Sequence, residues 1–139
     1  MMKLFNKTLT FDFGSSNTIV CEDGCVVYDE PTEIAVFNDG RVKIGFKARS
    51  FYSCDYKVIK PIVNSHIENH EAFDAYVNGV IKKIVRFPQI CLNTVLIAVP
   101  NDLNDDDIAS LCESFRKRGI KDIRIIQKGV ALCLANCGK

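Results

Sequence analysis

The segment Leu9-Thr10-Phe11-Asp12-Phe13-Gly14-Ser15-Ser16-Asn17-Thr18 constrains the fold more than any other part of the chain. An apolar run with strand character leads into Asp12, a Gly-Ser-Ser-Asn turn follows, and a second strand begins near Thr18. An acid and a loop of small residues therefore stand together at the end of a strand. Such a loop suits the phosphate end of a nucleotide. Gly14 lets the backbone approach closely, hydroxyls and successive N–H groups can face an anion, and Asp12 can orient a hydrated Mg²⁺. It is not a Walker loop, because no Gly-Lys-Ser/Thr follows and the next element reads as a strand. The same residues also read as an ordinary β-hairpin with a Gly/Asn turn.

At 139 residues the chain makes one domain with room for a substantial core. Apolar residues are 47% and charged residues 25%, a globular composition that argues against disorder. A net charge of +1 gives no bias towards nucleic acid. No apolar run approaches a membrane span, and no signal peptide precedes the first strand. The seven cysteines (Cys21, Cys25, Cys54, Cys91, Cys112, Cys133, Cys137) are odd in number and sit mostly in apolar patterns. Core packing in a reducing cytoplasm is the expectation for them. Cys21 with Cys25, Cys133 with Cys137, and His66 with His70 each stand four apart, a poor match to zinc-ligand spacing. A solvated helix start is the expectation for the histidines.

Along the chain, Thr8–Phe13, Thr18–Cys21 and Cys25–Tyr28 predict a three-stranded meander. Glu33–Phe37 and Arg41–Gly45 predict a hairpin around Asn38-Asp39-Gly40. Lys47–Tyr56 reads as irregular and Val58–Val63, interrupted by Pro61, as an extended link. The period then changes. Phe73, Val77, Val80, Ile81 and Ile84 recur at helical spacing within Glu68–Phe87, with Asn64-Ser65 or Asn69 as the cap and Pro88 as the stop. Thr94–Val99 predicts a strand buried on both faces, closed by Pro100. Asn104 caps a further helix whose first turn carries Asp105, Asp106 and Asp107. Its last turn carries Arg116, Lys117 and Arg118, complementing the dipole, before Gly119 ends it. Ile123–Ile126 is a last strand and Gly129–Cys137 a short helix. A meander followed by helix, strand, helix, strand and helix gives an α/β fold on a mixed sheet with right-handed crossovers. Such sheets bind ligands at the carboxyl ends of their strands. Asp12–Ser16, Pro100–Asn104 and Gln127-Lys128 lie at such ends, so three loops can converge on one crevice.

This order of elements resembles the actin-like ATPase superfamily (ribonuclease H-like in fold), and within it the MreB family of bacterial cell-shape proteins. Asp12-Phe13-Gly14-Ser15-Ser16-Asn17-Thr18 is similar to that family's Asp-Leu-Gly-Thr-Ala-Asn-Thr phosphate loop. Asp29-Glu30-Pro31-Thr32 resembles Asn-Glu-Pro-Ser, Ile44–Arg49 resembles Val-Gly-x-x-Ala-Lys, and Ile59-Lys60-Pro61 resembles Ile-Arg-Pro. Val99-Pro100 and Gly119–Ile126 also fall in register. The resemblance implies a single lobe over residues 1–139 with a small inserted subdomain at about 32–59. It implies an ATP site with Asp12 (through water to Mg²⁺), Gly14, Ser15, Ser16, Asn17 and Thr18 as the contacts. Partners would be further copies or another actin-like protein. The setting would be cytoplasmic, with weak peripheral membrane contact through Met1–Lys7, whose two lysines stand beside four apolar residues.

The departures shape the functional expectation. Where the family has Glu-Glu-Pro-Met-Ala-Ala-Ala, with an acid that helps position the attacking water, this chain has Gln127-Lys128-Gly129-Val130-Ala131-Leu132-Cys133. Gln127 is left as the water-orienting candidate, as in actin. The 139 residues do not include the family's second phosphate loop or adenosine pocket, so ATP binding by them alone is expected to be weak or undetectable. On this basis the chain is expected to be a cell-shape lobe that is not itself an enzyme. The alternative is a catalytically degenerate adaptor binding a cytoskeletal or cell-wall-synthesis partner. A sugar-kinase lobe is the third reading, and no recognisable sugar-binding acid supports it.

Overall fold

The computed structural model describes residues 7–50, 56–85 and 92–137. Met1–Asn6, Cys54, Cys91 and the expected helix end at Phe87 lie outside the described residues. The central sheet has the order β10-β9-β1-β2-β3. Its meander is β1 (Lys7–Phe13), β2 (Asn17–Glu22) and β3 (Cys25–Pro31), paired antiparallel. A tight turn joins β2 to β3 because Asp23 and Gly24 both take positive φ, 50° and 80°, which matches the twist of the strands. β9 (Leu92–Val99) then pairs parallel to β1, and β10 (Asp122–Gln127) parallel to β9.

Two helices cover one face of this sheet. They are α2 (His70–Ile84) and α3 (Asp105–Arg116), each started by an asparagine. The Asn69 carboxamide oxygen accepts the Ala72 N–H at 2.8 Å, and that of Asn104 accepts the Asp107 N–H at 2.8 Å. Asn69, not Asn64-Ser65, is therefore the cap of α2. Leu9, Phe11, Phe13, Val95, Ile97 and Val99 point into this layer and are buried. Phe11 meets Phe115 edge-on at 5.0 Å between ring centroids, and Phe13 meets Phe73 at 5.3 Å. Tyr76, Val77, Val80 and Ile81 complete the core from α2. Arg118 clamps the two helices together: it donates to Asp74 Oδ1 at 2.9 Å and to the Asp74 carbonyl at 2.7 Å. This guanidinium holds the Asp74 carboxyl below the usual carboxylate range.

The opposite face differs from expectation. Thr94, Leu96 and Ala98 are only half-buried, so β9 is fully buried on one side alone. The described element against that side is α4 (Lys128–Cys137), which has no buried residue and exposes Val130, Leu132 and Leu134. The unbroken apolar run conceals this alternation, because hydrophobicity alone does not distinguish a covered face from one that lacks a cover.

A second sheet, in the order β5-β4-β6, is built from β4 (Ile34–Phe37), β5 (Val42–Ile44) and β6 (Tyr56–Ile59). The stretch read as irregular begins with the one-turn helix α1 (Phe46–Arg49), too short to show a period. The segment read as a link contributes β6 and then β7 (Ile62–Val63), which forms a hairpin with β8 (His66–Ile67). Glu30 and Glu33 join this region to the rest. Glu30 accepts the Phe46 N–H at 3.2 Å and pairs with Lys83. Glu33 receives two hydrogen bonds from Arg49, at 2.7 and 3.0 Å, which hold its carboxyl below the usual range.

The expectation for the cysteines fails at three positions. Cys25, Cys133 and Cys137 are exposed, the first beside the Asp23-Gly24 turn and the others on α4, which has no buried residue. The histidines have specific partners. His66 Nδ1, in β8, lies 3.3 Å from Asp107 Oδ2, and His70 Nδ1, at the start of α2, lies 2.7 Å from Ser110 Oγ.

Candidate functional site

The loop after β1 is held from several sides. The Gly14 N–H donates to the Asn17 carbonyl at 3.0 Å, closing a tight turn. A Cβ on Gly14 would lie 2.7 Å from that carbonyl oxygen, so the close approach requires glycine. Ser15 Oγ accepts the Ser65 N–H at 3.1 Å. Asn64 and Ser65 take positive φ, 49° and 68°, in the turn joining β7 to β8. The Ser16 carbonyl accepts the Thr32 N–H at 2.9 Å, and Asn17 Nδ2 donates to Asp29 Oδ1 at 2.9 Å. Among the described residues, the N–H groups of Ser15 and Ser16 donate to no backbone carbonyl. Two adjacent N–H donors on a braced small-residue loop can receive an anion. The Gly14 N–H is already used. Thr18 has turned inward: its fully buried hydroxyl lies 2.9 Å from that of Thr32. Beside this pair the Tyr76 hydroxyl donates to the Pro31 carbonyl at 3.2 Å, and burial raises the Tyr76 pKa.

Three strand ends do converge here. The Asp107 carboxylate at the start of α3 is buried, accepting Asn104 Nδ2 at 3.0 Å and the Ile67 N–H at 3.4 Å. It therefore locks the β7–β8 turn, and so Ser65, beside the loop. This adds a second role to an acidic first turn that dipole complementarity already favours. Asn101, after β9, accepts the Gly129 N–H through Oδ1 at 3.3 Å. A Cβ on Gly129 would lie 2.8 Å from Asn101 Nδ2, so this residue keeps α4 close to the end of β9. β10 passes into α4 with no intervening residue, leaving Gln127 exposed and placing Lys128 over the sheet.

There the Lys128 ammonium lies 2.6 Å from Asp12 Oδ1. That oxygen is buried and has no hydrogen bond of good direction, so this charge contact is what compensates it. An open cleft of about 280 Å³ adjoins the pair, lined by Asp12, Ala98, Lys128, Ala131 and Leu132. The sequence shows both residues, but their contact spans nearly the whole chain and no local pattern reports it.

Mg²⁺ is the ion expected at Asp12 from the sequence. Magnesium seeks oxygen ligands in strict octahedral geometry. It keeps several waters and needs only one or two carboxylates beside the substrate phosphates, so the state of Asp12 decides the fit. The one carboxylate lining the cleft already carries an ammonium, so a divalent ion there would meet a fixed like charge. The residues present do not fit the ion. No helix of the described residues is long and apolar enough to cross a membrane.

A family model described as MreB/Mbl protein matches residues 6–136. MreB5 of Spiroplasma citri bound to ADP is similar at TM-score 0.74 and 20% identity, over 89% of this chain and 39% of that one. MreB 5 of Spiroplasma citri bound to AMPPNP is similar at TM-score 0.72 and 20% identity, over 88% and 38%. At that identity these two likenesses carry the fold, an actin-like α/β lobe. A comparison with curated proteins gave no match. The chain spans about two fifths of the length of the solved structures it matches. The expectation that the chain is not an enzyme is overturned by the family match, because the family so identified is one of ATP-hydrolysing actin-like proteins. The missing acids at Gln127 and Lys128 describe one segment and do not outweigh a match over nearly the whole chain. With the sheet order, the braced loop after β1 and the family model in agreement, the chain belongs to the MreB/Mbl family.

Proposed function

We propose that these residues form the first-phosphate half of an ATP-binding cleft in a cell-shape cytoskeletal protein. In this reading Asp12, Gly14, Ser15, Ser16 and Asn17 make the phosphate end and residues 32–59 form the small subdomain. The single observation that supports it best is the braced Gly14–Asn17 turn, with the Ser15 and Ser16 N–H groups bonded to no backbone carbonyl among the described residues, beside Asp12 and the ends of two parallel strands. ATP hydrolysis by a complete cleft is part of the proposal, with Gln127 as the residue that orients water. So are self-association, a cytoplasmic setting and weak membrane contact through Met1–Lys7.

In this reading these residues supply one wall of the cleft, so nucleotide bound to them alone keeps much of its surface in water. Affinity is correspondingly low, with a dissociation constant on the order of 1–10 mM. Titrating the ¹⁵N-labelled chain with ADP tests this. Shifts centred on the Ser15 and Ser16 amides support the reading. Shifts confined to the β4–β6 sheet, or none at all at about 10 mM, would overturn it.

A further inference from the structure

The Asp12–Lys128 contact occupies the place where an actin-like phosphate end is expected to present a free carboxylate to a hydrated divalent ion. Four observations show that the contact is built into the site. Lys128 is the first residue of α4 and follows β10 directly, so the strand end fixes its starting point. The Asn101–Gly129 hydrogen bond and the tight fit at Gly129 fix the next residue. Asp12 Oδ1 is buried, with the ammonium at 2.6 Å and no other partner. Among the described residues lining the cleft, Lys128 is also the one cation.

We propose that the Lys128 ammonium replaces the divalent cation, so that this lobe binds the polyphosphate of a nucleotide in its metal-free form. An ammonium has three N–H donors. One remains on Asp12, and the others are available to phosphate oxygens held at the Ser15 and Ser16 N–H groups. Charge-assisted hydrogen bonds of this kind are among the stronger ones. Lysine is a recurrent phosphate ligand that acts as a point charge and places no octahedral demand on its neighbours. The same ammonium repels a divalent ion from Asp12. The inference rests on the phosphate-end reading above and specifies which cation serves it.

The test uses the ¹⁵N-labelled 139-residue chain and its Lys128→Ala variant, followed by amide spectra. Inorganic tripolyphosphate is titrated in excess chelator and again with MgCl₂, and Mn²⁺ is added separately as a paramagnetic probe. In the unmodified chain, tripolyphosphate shifts the Ser15 and Ser16 amides in chelator, Mg²⁺ does not strengthen the response, and Mn²⁺ leaves residues 12–16 unbroadened. In Lys128→Ala the metal-free affinity falls about tenfold or more, and Mn²⁺ broadens residues 12–16 selectively. Asp12→Asn added to Lys128→Ala removes that broadening. A dispersed amide spectrum establishes that each variant is folded, and Lys128→Gln takes the place of an alanine variant that is not. If the unmodified chain responds only with Mg²⁺, or Mn²⁺ already broadens residues 12–16, the inference fails while the phosphate-end reading stands. An unchanged metal-free affinity in Lys128→Ala has the same meaning. No response in the unmodified chain under any condition overturns both.

Discussion

On one face of the central sheet Leu9, Phe11, Phe13, Val95, Ile97 and Val99 lie beneath two helices. On the other, Thr10, Asp12, Leu96 and Ala98 are only partly buried, and α4, which lines a cleft with Asp12 and Ala98, has no buried residue. The same strands supply both faces, since successive side chains alternate across a sheet. The covered face has aromatic contacts, and its buried hydroxyls at Thr18 and Tyr76 are hydrogen-bonded, so its contribution is stability. The open face has a buried carboxylate oxygen, an ammonium and an open cleft, so its groups remain able to change partners. The proposed binding chemistry therefore sits on the side that adds least to folding.

The largest effect that bears on this contrast is expected at Phe115, at the centre of the covered layer. Phe115→Ala should cost about 3–5 kcal/mol in urea unfolding, whereas Leu134→Ala on α4 should stay within about 0.5 kcal/mol. Comparable losses at the two sites would mean that α4 is packed as firmly as α3, and the contrast would be lost.

Gly14 comes next, because its substitution strains backbone and not a mobile side chain. Gly14→Ala should cost about 1–3 kcal/mol and should move the Ser15 and Ser16 amides. Unchanged stability would show that the turn opens freely and is not a preformed loop.

Asp74 sharpens the comparison through pH. Its pKa is lowered in the fold, mainly by the hydrogen bond from Arg118. The stabilisation is therefore complete above the ordinary carboxyl range near about 4 and is lost as pH falls through the lower folded-state value. Asp74→Asn should cost about 1 kcal/mol at neutral pH and nothing at strongly acid pH. An equal loss at both would assign the effect to packing instead of charge.

The smallest effect on stability is expected at Asp12, on the open face, where the ion pair is partly solvated. Asp12→Ala should change the unfolding free energy by less than about 1 kcal/mol while changing the nucleotide response of the loop, because the Lys128 ammonium loses the carboxylate that positions it. A folded variant with the same response would remove Asp12 from the site.

What could be read from the chain beforehand follows the range of the interactions. The cap at Asn104, the acidic first turn and Gly119 bracket α3 because each acts within a few residues. The meander was legible for the same reason, through Asp23-Gly24 and the alternation on either side. β9 was misread at Leu96 and Ala98, which are apolar whether or not a helix covers them. Cys133 and Cys137 were misassigned for the same cause, since an apolar helix face signals burial only when something lies against it. At the site, the loop was legible from Gly14 and its small neighbours. Its bracing by Ser65 and Thr32, and the meeting of Asp12 with Lys128, depend on the folded topology.

The direct passage of β10 into α4 has a mechanical consequence. With no residue between them to act as a hinge, the helix is a rigid arm about 15 Å long, rooted at the ammonium that sits on Asp12. A force applied at Leu134 or Cys137 is carried to Lys128 with little loss in bending, and a tilt of a few degrees at the tip changes the tilt at the root by a similar amount. Any body that grips the exposed apolar tip therefore has leverage over the charge at the bottom of the cleft, and a charge drawn to the cleft strains the tip in return.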